Sequence, residues 1–170
     1  ETFMRDLYIH MRGIHLITRM VERRLALRPK PARRLPSLRS IFGRGEKTET
    51  LDGFNIIDGE LVPISHRIFR DQPRRLMRVF LHAQQRGLEF HPDLTQLLRD
   101  NVSLVDDDFV HDKENHETFL EILNQRGNVA PALRAMHEVD LLGRYIPEFG
   151  RMTCLVQHEF FHAYAADEHT

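Results

Sequence analysis

Residues 158–162 read His-Glu-Phe-Phe-His and satisfy the pattern H-E-x-x-H. On a helix, its two imidazoles stand one turn apart on one face and can grip a zinc ion, with the glutamate placed to deprotonate a bound water. That is metalloprotease chemistry, and it needs a third ligand. The metzincin positions, three and six residues after His162, hold Ala165 and Glu168 instead of glycine and histidine, and His169 comes one residue too late. A thermolysin-type glutamate would fall past Thr170, so that form of the reading stays open. With 11 histidines in 170 residues, the simpler role for His162 is a ring satisfied by a helix-helix hydrogen bond.

Other chemistry-bearing residues have plainer roles. Asp106, Asp107 and Asp108 offer hard oxygen ligands for a divalent cation, but three consecutive aspartates before an apolar run are expected as a polar turn that caps a helix. Cys154 is the only cysteine and lies four residues before His158. Without a base and an orienting partner it is not expected to act as a nucleophile. A lone cysteine excludes an internal disulfide and any thiolate zinc cluster, and it agrees with a reducing compartment. No glycine-rich phosphate loop is present.

These residues must be positioned by helices. Phe3, Met4, Leu7, Ile14, Ile17, Val21 and Leu25 recur every three or four residues and predict one amphipathic helix over 2–27, with an exposed face made mostly of arginine. Residues 28–50 combine Pro29, Pro31 and Pro36 with basic residues, and read as a mobile connection and solvated surface. Phe42 is the single aromatic residue there, too few to interleave for base stacking, so nucleic-acid binding is not expected. Residues 54–57 and 60–62, joined by Asp58-Gly59, predict a tight β-hairpin. A helix follows, with Asp71 as cap and Pro73 in its first turn, buries Leu76, Met77, Phe80 and Leu81, and ends at Gly87. Further helices are expected from about Pro92 to Val102, from about Lys113 to Arg126 with a stop at Gly127, and from Asn128 through Leu133, Met136 and His137. A last helical pattern runs from about Gln157 to Thr170. The expected fold is mainly α, a multi-helix domain with one small β-hairpin insertion.

Length and composition bound the rest. A chain of 170 residues with 41% hydrophobic and 29% charged residues, 9 Gly and 8 Pro is globular and neither fibrous nor wholly disordered. No uncharged apolar run approaches the roughly 18 residues of a membrane helix, and no signal pattern opens the chain, so a cytoplasmic protein with no membrane partner is expected. The net charge of -1 hides an asymmetry, because residues 1–50 hold 12 Lys/Arg against 5 Asp/Glu, leaving 12 against 20 for the remainder. The chain starts with Glu1 and stops at Thr170 inside a helical pattern, and is expected to be a piece of a longer protein.

The residues His162-Ala163-Tyr164-Ala165-Ala166-Asp167-Glu168-His169-Thr170 resemble the H-x-Y-x-x-D-E-H-T segment that opens the HD phosphohydrolase domain of the bacterial PII uridylyltransferase/uridylyl-removing enzymes. Met136-His137 followed by Leu142-Gly143-Arg144-Tyr145-Ile146-Pro147-Glu148-Phe149 is similar to a second block of that family. Residues 57–61 with Phe69, Pro73, Met77 and Phe80 are similar to its region between transferase and HD domains, and residues 3–8 to the start of its linker helix. The basic stretch 28–50 is the main unmatched part. Ala165-Ala166 replaces a frequent Thr-Val, and Glu159 a frequent Asp.

The resemblance implies residues 1–150 as a helical linker domain and 151–170 as the opening of an HD domain. It implies a parent that transfers UMP from UTP to a tyrosine of the PII protein, hydrolyses it off again, and senses glutamine in domains outside this chain. The motifs of the transferase are not in these 170 residues, and the one adjacent His-Asp pair, His111-Asp112, precedes His169 where the doublet of the hydrolase would follow it, so the piece itself is expected to be an inactive scaffold. Of the HD metal ligands only His169 has a counterpart here, the first histidine. The parent's cofactor is implied to be magnesium or manganese, with little metal held by one imidazole alone. The related glutamine synthetase adenylyltransferase shares the linker but lacks the HD domain, so the Asp-Glu-His-Thr ending argues against it. Two other readings stand beside this one: a zinc metalloprotease fragment, and a non-catalytic helical interaction module.

Overall fold

The computed structural model describes residues 2–26 and 49–153. The chain enters through α1 (Thr2–Ala26). A small sheet follows, β1 (Glu49–Leu51), β2 (Phe54–Ile57) and β3 (Glu60–Pro63), and then α2 (Ile68–Asp71) and α3 (Arg75–Arg86). After β4 (Glu89–Phe90) come α4 (Pro92–Asn101), α5 (Asp107–His111), α6 (Lys113–Leu123), α7 (Val129–Glu138), α8 (Leu141–Tyr145) and α9 (Pro147–Met152). The protein is mainly α, as its periodicity predicts.

The expected hairpin is present. Asp58 (φ 51°) and Gly59 (φ 83°) both take positive φ, the geometry that lets a two-residue turn follow the twist of its strands, and Ile57 pairs with Glu60. It belongs to a larger sheet than one hairpin. Asp52 (φ 50°) and Gly53 (φ 88°) make a second such turn between β1 and β2, and β4 adds in parallel to β3, giving the order β1-β2-β3-β4. Glu49 and Thr50, the end of the basic stretch, are therefore strand residues. The remainder of that stretch lies outside the described residues, as does Leu27.

α3 is the centre of the core. Leu76, Met77, Val79, Phe80 and Leu81 are all buried. The helix packs on α6 and α7, and Phe80 meets Phe90 of β4 edge to face at 5.1 Å. Gly87 ends α3 in the left-handed region (φ 62°), its N–H donating to the Ala83 carbonyl. Asp71 does not cap this helix. It closes α2 instead, its N–H donating to the Arg67 carbonyl, while α3 starts after a tight turn in which the Leu76 N–H reaches the Pro73 carbonyl. The later caps follow the expected chemistry: Asp106 accepts from the Phe109 N–H at 2.9 Å, and Asp112 from the Asn115 N–H at 3.0 Å. α6 stops at Leu123, earlier than expected, and Asn124 to Gly127 form the turn into α7. α8 and α9 cross at a pair of glycines so close that a Cβ on Gly150 would lie 2.5 Å from the Gly143 carbonyl oxygen. Among the described residues no helix is long and apolar enough to cross a membrane.

Candidate functional site

The side of α1 that meets the rest of the protein is the reverse of the expected one. Arg5, Arg12 and Arg19 recur every seven residues, two helical turns, and so line up on one side. All three reach the helical domain. Arg5 donates to the Arg151 carbonyl at 3.2 Å, Arg12 to the Asp140 carboxylate at 3.0 Å and the His137 carbonyl at 2.6 Å, and Arg19 to Glu138 at 2.9 Å. Arginine suits this task because its planar fork serves two acceptors at once, as Arg12 does. The apolar stripe faces outward: Phe3 is 75% exposed, Ile14 65% and Ile17 58%.

A second charged cluster anchors the sheet. Arg75, Arg78 and His82 of α3 converge on the carboxylate of Asp52 in the β1–β2 turn, at 3.2, 2.8 and 3.3 Å, and Arg86 pairs with Glu49 one turn further on. The basic residues of α3 thus hold β1 against the helix. A third cluster joins α3's entry to α6, where Arg74 bridges Asp112 at 2.6 Å and Glu114 at 2.7 Å. The hydrogen bond from Arg74, helped by the Asn115 N–H, holds the Asp112 carboxyl below the usual carboxylate range. Such a group stabilises the fold above its unfolded pKa of 3.8, and the contribution disappears as pH falls through the lower folded value. Asp112→Asn is therefore expected to melt below the wild type at pH 7 and pH 5. That gap should close in melts at pH 3 and below, where the wild-type carboxylate is itself being protonated.

Between α3, α4, α7 and β4 lies a cleft of about 260 Å³, lined by Phe80, Gln84, Phe90, Thr95 and Ala132, with Glu138 at its edge. The Gln84 amide donates to the carbonyls of Ile122 and Asn128 at 3.1 and 2.9 Å, and Asn128 returns a bond to the Gln84 carbonyl at 3.1 Å. Asn128 thus starts α7 without a side-chain cap, its amide being used to tie α7 to α3. Among the described residues that line this cleft there is no histidine, cysteine or lysine, and the Thr95 hydroxyl donates to the His91 carbonyl. Tyr145, whose ring packs with Phe109, His116 and Phe119, is pushed by burial above the ordinary phenol value.

His169, the H-E-x-x-H residues 158–162 and Cys154 all lie outside the described residues. Asp106 is a helix cap, and no group of three or more His, Cys, Asp or Glu is placed to hold a metal among the described residues. His137 is buried, its ring edge to face with Phe149 at 5.3 Å. Sequence reasoning missed the Asp52 cluster and the arginine row, although the seven-residue spacing of Arg5, Arg12 and Arg19 was a readable signal.

Residues 54–145, from β2 to α8, match the family model described as "Uridylyltransferase GlnD third domain". The chain belongs to this family. The GlnD-type region extends past the matched core: all 170 residues align, at 31% identity, with a "Bifunctional uridylyltransferase/uridylyl-removing enzyme" of Cereibacter sphaeroides. A protein of the same name from Ruegeria pomeroyi is 32% identical over 171 aligned positions. The chain spans 18% of the length of each of these relatives. No solved structure matches it.

Proposed function

We propose that this chain is the helical linker and the opening of the HD domain of a PII uridylyltransferase/uridylyl-removing enzyme of the cytoplasm, and that its own task is to hold the catalytic parts in fixed relation. The observation that carries this reading is the alignment of the whole chain with enzymes of that name. The character of the described residues supports it. Their charged groups pair with one another across elements, Arg12 with Asp140, Arg75 and Arg78 with Asp52, Arg74 with Asp112, which suits a part that must not deform.

In this reading the parent moves UMP from UTP to a PII tyrosine and takes it off by hydrolysis, with glutamine as the signal. The divalent metal, magnesium or manganese, would activate water for attack on phosphorus. His169 would hold it as one imidazole donor among ligands outside residues 1–170, since one imidazole cannot retain such an ion alone. The test is to express the full-length gene product and follow labelled UMP on PII. Transfer and removal are both expected, with His169→Ala losing removal and keeping transfer, while the pure 170-residue chain performs neither step. Turnover by the isolated chain, or a full-length protein with neither activity, would overturn the proposal.

A further inference from the structure

α1 carries two stripes, and among the described residues only one of them meets the rest of the protein. Its arginines at 5, 12 and 19 are tied to Arg151, Asp140, His137 and Glu138, which fixes the rotation of the helix about its axis. The opposite stripe, Phe3, Leu7, Ile14, Ile17 and Val21, is between 42% and 75% exposed. Because the arginines hold their partners, this stripe cannot turn inward. We infer that it is a docking surface covered, in the full-length enzyme, by an apolar helix of the same polypeptide outside residues 1–170. The inference rests on the reading of the chain as part of a longer uridylyltransferase.

The spacing states the shape of the partner. Phe3, Leu7, Ile14, Ile17 and Val21, with His10 between, follow alternating steps of three and four residues, the seam into which a second helix inserts its side chains. At 25 residues α1 is about 37 Å long. Along it the apolar strip from Phe3 to Val21 runs about 27 Å, a contiguous exposed apolar patch of the kind that marks an interaction site. The stripe has no cation to meet a phosphate backbone. A helix lying on a membrane would place its arginines beside the apolar face, to reach the headgroups, whereas Arg5, Arg12 and Arg19 point the other way into the protein. What fits is an uncharged helical face.

The source follows from chain length. More than four fifths of the Cereibacter relative lies outside the aligned stretch. A helix tethered in the same polypeptide acts at an effective concentration on the order of millimolar, which outcompetes a second copy at micromolar protein.

Hydrogen exchange on two proteins tests this, the 170-residue chain and the full-length enzyme. The α1 amides are expected to exchange at least tenfold more slowly in the full-length enzyme. Ile14→Lys with Ile17→Lys should erase that difference, yet leave the melting temperature of the 170-residue chain unchanged, because neither side chain is buried there. Equal α1 exchange rates in the two wild-type proteins would overturn the inference, and this comparison needs no variant to fold. So would a 170-residue chain that sediments as a dimer at micromolar concentration with α1 protected, which would make the occupant a second copy. A full-length protein with both uridylyl activities and an unprotected α1 sinks the docking surface alone. One with neither activity sinks the functional reading, whatever α1 does.

Discussion

Phe80→Ala is expected to lower the unfolding free energy by about 3–5 kcal/mol. The ring is 1% exposed, at the middle of α3, where the helix meets both α6 and α7. Truncation removes the transfer free energy of the ring and the edge-to-face contact with Phe90 at 5.1 Å, itself worth about 0.5–1.5 kcal/mol. It also leaves a void. Because Phe80 lines the 260 Å³ cleft, that void merges with space open to water, so the cost should fall toward the lower end of the range. Urea unfolding measures it as a lower midpoint at unchanged slope. Leu120→Ala, at a site 63% exposed, should stay within about 0.5 kcal/mol of the wild type. If the two variants behave alike, α3 is not the centre of the core.

The parts of the fold legible in the sequence are those in which a local rule and the tertiary structure agree. Asp58-Gly59 between two apolar runs needs positive φ at both residues, and the structure supplies it. Gly87 likewise reads directly as the end of α3. Asp52-Gly53 is the same signal, but the strand before it has three residues and follows a proline-rich basic stretch, so only its pairing with β2 makes it a strand. β4 has two residues and exists because the Glu89 and His91 N–H groups reach carbonyls of Gly59 and Leu61, a long-range event without a local trace. Asp71 was misplaced because a capping residue can serve the helix before it as well as the one after. The orientation of α1 failed for a different reason. Periodicity sorts residues onto faces but does not state which face finds a partner within the chain. The metal role proposed for His169 rests on family resemblance alone, since one imidazole has no chemistry of its own to announce.

Removing the carboxylate of Asp52 tests whether the α3 cluster stabilises the sheet or merely decorates it. Arg75, Arg78, His82 and Asp52 have side chains between 17% and 27% exposed, intermediate between surface pairs worth under about 1 kcal/mol and buried pairs whose disruption costs about 3–5 kcal/mol. Asp52→Ala strands three donors and adds the strain of alanine at φ 50°, roughly 1 kcal/mol, so a loss of about 3 kcal/mol is expected. Asp52→Asn separates charge from geometry. Asparagine tolerates the left-handed region, and its one carbonyl oxygen can still serve both arginines, because both donate to the same oxygen of Asp52. The expected loss is then about 1–2 kcal/mol and comes from repulsion among cations that have lost their counter-charge. High salt shortens the screening length to about 3 Å at 1 M, so the asparagine deficit should shrink there while the alanine deficit persists. Amide exchange in β1 should rise in both variants, since the Asp52 cluster and the Glu49–Arg86 pair are the ion pairs that tie the strand to α3 among the described residues. If Asp52→Ala unfolds within 0.5 kcal/mol of the wild type, the cluster is a surface ornament, and the sheet is held by Phe54 and Leu61 in the core alone.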